Sequence, residues 1–231
     1  MFKVDFPLWP TLPAAFSNGT AHINRQALLP MVRGVLALLA LSCLSTTSRA
    51  EVPEAEAFVK THTEAFQARL VAEEDINAAD QAHLIATAEA LVMPNFNFAA
   101  MSQRALGRHW REASDDQKKR FVVAFRTLLL KTYAGTVNDH RHDEIKFLPS
   151  RKLSDKAWRV RTQVIRKSGG SPFLIDYEVH QEPTGWRVYD VTVEGVSLAV
   201  SYRAGLAKDI AALGLDAVVS QMENRASGKP G

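Results

Sequence analysis

Beyond residue 50 the apolar positions of this 231-residue chain follow two rhythms, a helical one up to a charged stretch at 139–144 and a two-residue alternation from Glu144 on. Residues 53–70 place Phe58, His62, Phe66 and Leu70 four apart behind Pro53, which predicts an amphipathic helix opened by the proline. A polar segment, Glu73 to Asp80, separates it from a second helix with Leu84, Ile85, Ala88, Leu91 and Val92 on one face, ended by Pro94. Residues 96–106 predict a short third helix closed by Gly107. Ser114 and Gln117 fit a capping box, in which each side chain bonds the other residue's backbone N–H. The long helix they open carries Phe121, Phe125, Leu128, Leu129 and Thr132 on one face, against Lys118, Lys119, Arg126 and Lys131.

In the second half Trp158, Val160, Thr162 and Val164 alternate with Arg159, Arg161 and Gln163, so the arginines are expected to point to solvent. After a turn at 168–172, Phe173, Ile175, Tyr177 and Val179 alternate with Asp176, Glu178 and His180. Thr184 and Gly185 turn the chain into a strand led by Trp186, and with a short strand at 145–148 this makes an antiparallel meander of about four strands. The Trp186 strand carries apolar groups on both faces. Strict alternation puts Trp186, Val188 and Asp190 on one and Tyr189, Val191 and Val193 on the other, so the strand is expected to be covered on both sides. At Glu194-Gly195 a strand-to-helix corner is expected, with glycine there for its backbone freedom, followed by helical spacing at Leu198, Tyr202 and Leu206. Two helices close the chain, the last with Leu215, Val218, Val219 and Met222 on one face. Helices first, meander second and helices last describe an α+β fold, with helices packed on a curved antiparallel sheet.

The first fifty residues change the charge argument. Met31 to Gly34 is a short basic region, residues 35–44 are apolar, and Ser48-Arg49-Ala50 offers small residues where a signal peptidase reads. The apolar run falls short of the ~20 residues a membrane-spanning helix needs. Residues 31–50 are therefore expected to be a leader cleaved after Ala50, and residues 1–30 an upstream extension preceding the true start at Met31. Residues 51–222 are expected to form one domain, and 223–231 a disordered tail. Cys43 follows Ala40-Leu41-Ser42, the wrong order for a lipid-attachment box, and without it the mature chain has no cysteine. Of the 28 Lys+Arg and 25 Asp+Glu, four basic residues and one acidic residue lie in the first fifty, so the remainder balances at 24 against 24. A nucleic-acid partner is not expected of such a chain.

No nucleophile elbow, P-loop, dinucleotide fingerprint or zincin helix occurs in the mature sequence. His140 and His142 in the 139–144 stretch are spaced to share a metal if extended, but without a third ligand a charged connector is expected and no metal. Asp190, on a strand where burial demands partners, is expected to accept hydrogen bonds from backbone or from an arginine.

The stretch WRVYDVTVEGVSLAVSY, residues 186–202, resembles the signature of the MlaC family, also called the toluene-tolerance or ABC-transporter auxiliary family of Gram-negative periplasmic phospholipid carriers. The family pattern W-x-V-x-D-V-x-x-E-G-V-S, a strand followed directly by a helix, matches Trp186, Val188, Asp190, Val191, Glu194, Gly195, Val196 and Ser197. A second match is FNFAAMSQRALGRHWREASDDQKKRFVVAFRTLLLKTYA, residues 96–134, where the family has a helix ending in a Gly-x-x-W-like turn, a polar cap and a long amphipathic helix. The resemblance covers about residues 58–222. It implies a monomeric periplasmic carrier that catalyses no reaction and needs no cofactor. Its cargo would be phospholipid, held in an apolar cavity between sheet and helices and moved to maintain outer-membrane lipid asymmetry. Its partners would be an outer-membrane lipoprotein–porin complex and an inner-membrane MCE-domain ABC transporter. The candidate cavity positions are Phe98, Met101, Phe121, Phe125, Leu198 and Tyr202 on helices, and Val160, Val164, Ile175, Tyr177, Val179, Val188, Val191, Val193 and Val196 on strands. Arg159, Arg161 and Asp190 are the candidates for its rim or for docking. Two rivals stand beside this reading. One is a small cavity enzyme of isomerase or dehydratase type pairing Asp190 with His62, His83 or His180, and the other is a periplasmic chaperone or adaptor.

Overall fold

The computed structural model describes residues 53–226, so the expected extension, the leader and the end of the tail lie outside the described residues. Six helices come first: α1 (Glu54–Ala72), α2 (Glu74–Ala79), α3 (Gln81–Leu91), α4 (Phe98–Leu106), α5 (His109–Glu112) and α6 (Asp115–Asp139). Strands β1 (Glu144–Ser154), β2 (Ala157–Ile165), β3 (Phe173–Glu182), β4 (Gly185–Val193) and β5 (Val196–Ser197) follow, then α7 (Leu198–Ser201), α8 (Arg203–Leu213) and α9 (Leu215–Ala226). The sheet is an antiparallel meander in chain order. The α+β class stands, with a fifth, two-residue strand added and three closing helices rather than two.

Local chemistry explains the helix ends. Ser114 Oγ accepts from the Gln117 N–H at 3.2 Å while Gln117 Oε1 accepts from the Ser114 N–H at 3.0 Å, so the capping box opens α6 as its spacing predicts. At α3 and α4 the cap is one-sided, Asp80 Oδ1 accepting from the Ala82 N–H and Asn97 Oδ1 from the Ala100 N–H. The polar segment after α1 is itself helical, because Glu73 and Glu74 find partners across the turn. Glu73 binds His83, and Glu74 binds Arg141 and His142.

The buried stripe of α1 is Ala55, Val59 and Leu70, with Phe58 and Phe66 half-buried, whereas His62 is exposed and bonds the Phe58 carbonyl at 2.8 Å. A strict spacing of four drifts about 40° around the helix at each step, so a face must mix threes and fours. For the same reason Leu130 is buried on α6 and Thr132 faces out. The last helix buries Val218, Val219 and Met222 as its spacing predicts, and it runs on to Ala226, taking in the first residues assigned to the tail.

Two departures in the sheet have clear causes. β1 runs for 11 residues where the sequence suggests only 145–148, because Pro149 sits where the β1–β2 register slips by a residue, on an edge strand where its missing N–H costs no ladder bond. In β4 the register also slips: Glu178 pairs with Asp190 but Val179 pairs with Val188, leaving Tyr189 as an extra residue. That bulge returns Trp186 and Val188 to the face carrying Val191 and Val193, and moves Asp190 to the opposite face with Glu178. The two-sided apolar strand of the sequence reading is therefore one-sided.

β4 and β5 are joined by a two-residue hairpin, since Thr192 pairs with Ser197 and Val193 with Val196. Glu194 (φ 49°) and Gly195 (φ 82°) both take positive φ, as a type I′ turn requires. The Glu194 side chain accepts from the Leu174 N–H, and its own N–H donates to the Leu174 carbonyl at 3.0 Å, fastening the turn to β3.

These backbone assignments predict opposite outcomes for two glycine-to-alanine changes. A Cβ meets nothing within 4 Å at either Gly195 or Gly135. Gly195→Ala is expected to lose about 1 kcal/mol to left-handed strain. Gly135→Ala, inside α6, is expected to gain about 0.5–1 kcal/mol. Urea unfolding of both variants checks the pair.

Candidate functional site

Two chemically opposite faces of the sheet define the site. On one face β2 presents Trp158, Val160 and Thr162 opposite Val179, Tyr177 and Ile175 of β3, which in turn meet Val188, Val191 and Val193 of β4. Ala55 and Val59 of α1 pack onto this surface. Six members of the cluster are buried, but nine are buried only in part, among them Phe58, Phe96, Phe147, Trp158, Tyr177 and Leu198. The helical cluster formed by α4 and α6–α9 has the reverse balance, fifteen buried and seven partial. The sheet face is thus a broad apolar, aromatic-rich surface that the protein's own side chains cover incompletely. Tyr177 bonds Thr63 of α1, but burial outweighs that bond and pushes its hydroxyl up to about 12. Thr162, buried in the middle, satisfies its hydroxyl on the Ile175 carbonyl at 2.8 Å.

The other face is a network of charges. Asp190 is 1% exposed, and its carboxylate accepts from Arg104 Nη1 at 3.0 Å, Ser197 Oγ at 2.5 Å, the Val191 N–H at 2.9 Å and the Ala199 N–H at 3.4 Å. Ser197 in turn caps α7 by accepting from Val200 N–H at 3.1 Å. Arg104 reaches Glu178 with its other terminal nitrogen at 3.0 Å, and Arg159 binds the second Glu178 oxygen at 2.6 Å. The Arg104 guanidinium also lies 4.6 Å over the Tyr189 ring. Burial works to raise the Glu178 pKa, but the Arg159 hydrogen bond and the charges of Arg104 and Arg159 outweigh it and hold the group below its usual range.

The sequence model of the MlaC protein family matches residues 60–224, the span that contains both faces. The chain belongs to the MlaC family. Among relatives, the intermembrane phospholipid transport system binding protein MlaC of Haemophilus influenzae is 22% identical over 139 residues, 59% of this chain and 65% of that protein. The match therefore spans a little under two thirds of that relative's length. Among solved structures, the phospholipid-binding protein from Ralstonia solanacearum, in complex with a phospholipid, superposes with a TM-score of 0.68 at 28% identity. That likeness covers 75% of this chain and 97% of the other.

Set against this MlaC frame, the sequence candidates divide. Val160, Val179, Val188 and Val191 are buried in the sheet-face cluster, with Ile175, Tyr177, Val193 and Leu198 half-buried around it. Phe98, Met101, Phe121, Phe125 and Tyr202 pack instead among the helices, where the Tyr202 ring meets Phe125 edge-on at 5.3 Å. Val164 is buried beside its β3 partner Phe173, outside both clusters. Val196, at the hairpin, is 56% exposed.

Asp190 takes both kinds of partner expected for it, backbone and an arginine. None of its hydrogen bonds comes from a histidine: His62 bonds a backbone carbonyl, His83 bonds Glu73, and His180 bonds Glu182 at 2.6 Å. Arg159 and Arg161 are not the free outward charges the alternation suggests, because Glu178 and Asp176 share their side of the sheet and pair with them. Nor do His140 and His142 converge: they turn to Asp143 and Glu74, and no three metal-ligating side chains gather among the described residues. Arg104 escaped the sequence reading. A buried aspartate calls for a cation, but nothing local says that it comes from a helix 86 residues earlier.

Arg104→Ala is expected to cost about 3 kcal/mol, because it takes from buried Asp190 its cation and leaves Glu178 with Arg159 alone. Arg104→Lys is expected to fall between, since an ammonium cannot bond both carboxylates with one planar fork. In the wild type the lowered Glu178 pKa adds stability that is present above the unfolded value, about 4.3, and lost as pH falls through the folded one. Denaturant unfolding of Arg104→Ala at neutral pH, and of the wild type through the acid range, tests both.

Proposed function

We propose that this chain is a periplasmic phospholipid carrier, with the lipid's acyl tails lying against the half-covered apolar face of the sheet. That incompletely covered face is the observation that carries the reading. The helical cluster buries fifteen of its members and leaves seven partly open, whereas the sheet-face cluster buries six and leaves nine partly open, Phe58 and Trp158 among them. The Ralstonia relative's bound phospholipid and the Haemophilus relative's place in an intermembrane phospholipid transport system support the choice of cargo. No described helix is long and apolar enough to cross a membrane.

The energetics dictate the rest of the mechanism. Burying acyl chain is worth ~0.8 kcal/mol per methylene, so two tails contribute on the order of 20 kcal/mol. Spontaneous release into water at that depth is too slow for traffic, so transfer takes place while the carrier is docked on partners that offer a continuous apolar path. These partners are an outer-membrane lipoprotein–porin complex and an inner-membrane MCE-domain transporter, between which the carrier shuttles lipid to maintain outer-membrane asymmetry. The chain performs no reaction in this scheme. Its buried aspartate is fully occupied in holding α4, β5 and α7 on the sheet.

Protein expressed in a Gram-negative periplasm is expected to carry diacyl phospholipid at close to equimolar amounts, measured by organic extraction and mass spectrometry. Val191→Asp, on the sheet face, is expected to abolish loading while the helical cluster keeps the protein folded. Traces of lipid in the wild type, or bound protein segments in its place, would overturn the carrier reading.

A further inference from the structure

A bay of about 510 Å³ opens where α4, α5 and α8 meet, lined by Gln103, Arg104, Gly107, Arg108, Arg111 and Arg203, with no carboxylate in its wall. Several other arginines among the described residues sit against acids: Arg69 on Glu73, Arg120 on Asp216 and Glu223, Arg126 on Glu89, and Arg159 on Glu178. Of the four arginines in the bay, only Arg104 is so paired. The Arg111 side chain has no partner among the described residues, and the Arg108 side chain reaches only the His109 ring, by a long 3.4 Å bond. Clustered like charges without counter-ions repel one another, so their accumulation in one concavity calls for an external anion.

The bay is also built rather than loose. Arg203 is fixed by two hydrogen bonds, from Nε at 2.9 Å and Nη2 at 2.5 Å, to the Arg104 carbonyl at the end of α4. Gly107 (φ 57°) makes room for this, since a Cβ there would sit 3.3 Å from Cδ and Nε of Arg203. Arg104, the floor of the bay, is held from behind by Asp190 and Glu178. The concavity is thus anchored through one side chain to the sheet that forms the proposed cargo site.

We propose that this arginine bay is the carrier's docking site for an acidic, Asp/Glu-rich segment of a partner protein. The proposal rests on the carrier reading, in which hand-off requires docking, and it moves the docking charges from the internally paired Arg159 and Arg161 to Arg108, Arg111 and Arg203. A protein segment fits better than a membrane surface. A membrane-binding face combines cations with protruding apolar side chains, but the exposed large apolar residues, such as Val123, Val196 and Leu213, do not line the bay. Fixed arginines facing carboxylates give strong, directional charge-assisted bonds and fast, salt-sensitive encounter.

The test uses the purified mature protein with its lipid and a fluorescein-labelled oligoglutamate peptide as probe, read by fluorescence anisotropy. The wild type is expected to bind. Both the Arg108→Glu/Arg111→Glu and the milder Arg108→Gln/Arg111→Gln variants are expected to weaken binding at least about tenfold, and added salt to weaken the wild type. A control reversing Lys119 and Lys156, exposed cations outside the bay, is expected to bind as wild type. Equal binding by wild type and bay variants would overturn the proposal. So would displacement by inorganic phosphate as effective as by unlabelled peptide, which marks a simple anion site. Bay-dependent sedimentation with phosphatidylglycerol vesicles in place of peptide binding would overturn it in favour of a membrane contact. Lipid content measured on the same samples keeps the readings apart: empty wild-type protein counts against the carrier, and peptide binding indifferent to the bay counts against docking alone.

Discussion

The buried carboxylate of Asp190 is the constraint on which the arrangement of this protein depends. A charge this deep is tolerated only when its lone pairs are filled and its charge is matched. Here the matching groups come from four directions: the next residue's backbone, a serine across the hairpin, the first turn of α7 and an arginine of α4. Satisfying one side chain therefore fixes where β5 turns, where α7 starts and how α4 lies against the sheet. Glu178 and Arg159 extend the same alternation of sign, so the polar face of the sheet behaves as one network rather than a set of independent surface pairs.

The bulge at Tyr189 makes that network compatible with an apolar face. Without the extra residue, Asp190 would share a face with Trp186 and Val188. With it, the aspartate joins Glu178 behind the sheet, and Val188, Val191 and Val193 line up in front. One residue thus separates the chemistry that holds the fold from the chemistry that meets the cargo. The freed Tyr189 ring then serves the network by lying beneath the Arg104 guanidinium.

Much of this was legible in the sequence, for reasons that differ element by element. The capping box of α6, the buried stripe of α9 and the alternation in β2 and β3 are local patterns, and each formed as its spacing predicts. The family resemblance, carried by residues such as Trp186, Asp190 and Gly195, was legible too. What escaped was everything that depends on a partner distant in sequence. The bulge is invisible because Tyr189 fits an alternating pattern as well as it fits a bulge, and only pairing with β3 decides between them. Helix α2 looks polar and loop-like until Arg141 and His142 arrive to bind Glu74. The outward arginines of β2 read as free charges because their acids lie on the next strand, and the division of the candidate apolar residues into a sheet-face and a helical cluster needs three dimensions.

The central claim, that cargo lies on the apolar sheet face, is tested most directly by photo-crosslinking with a phospholipid carrying a diazirine near the end of an acyl tail, followed by peptide mapping. Labelling concentrated on the β2–β4 peptides that carry Trp158, Tyr177 and Val191, with the α6 peptide carrying Phe121 and Phe125 unlabelled, is the predicted result. Labelling of the α6 peptide with the strands left clean would contradict it.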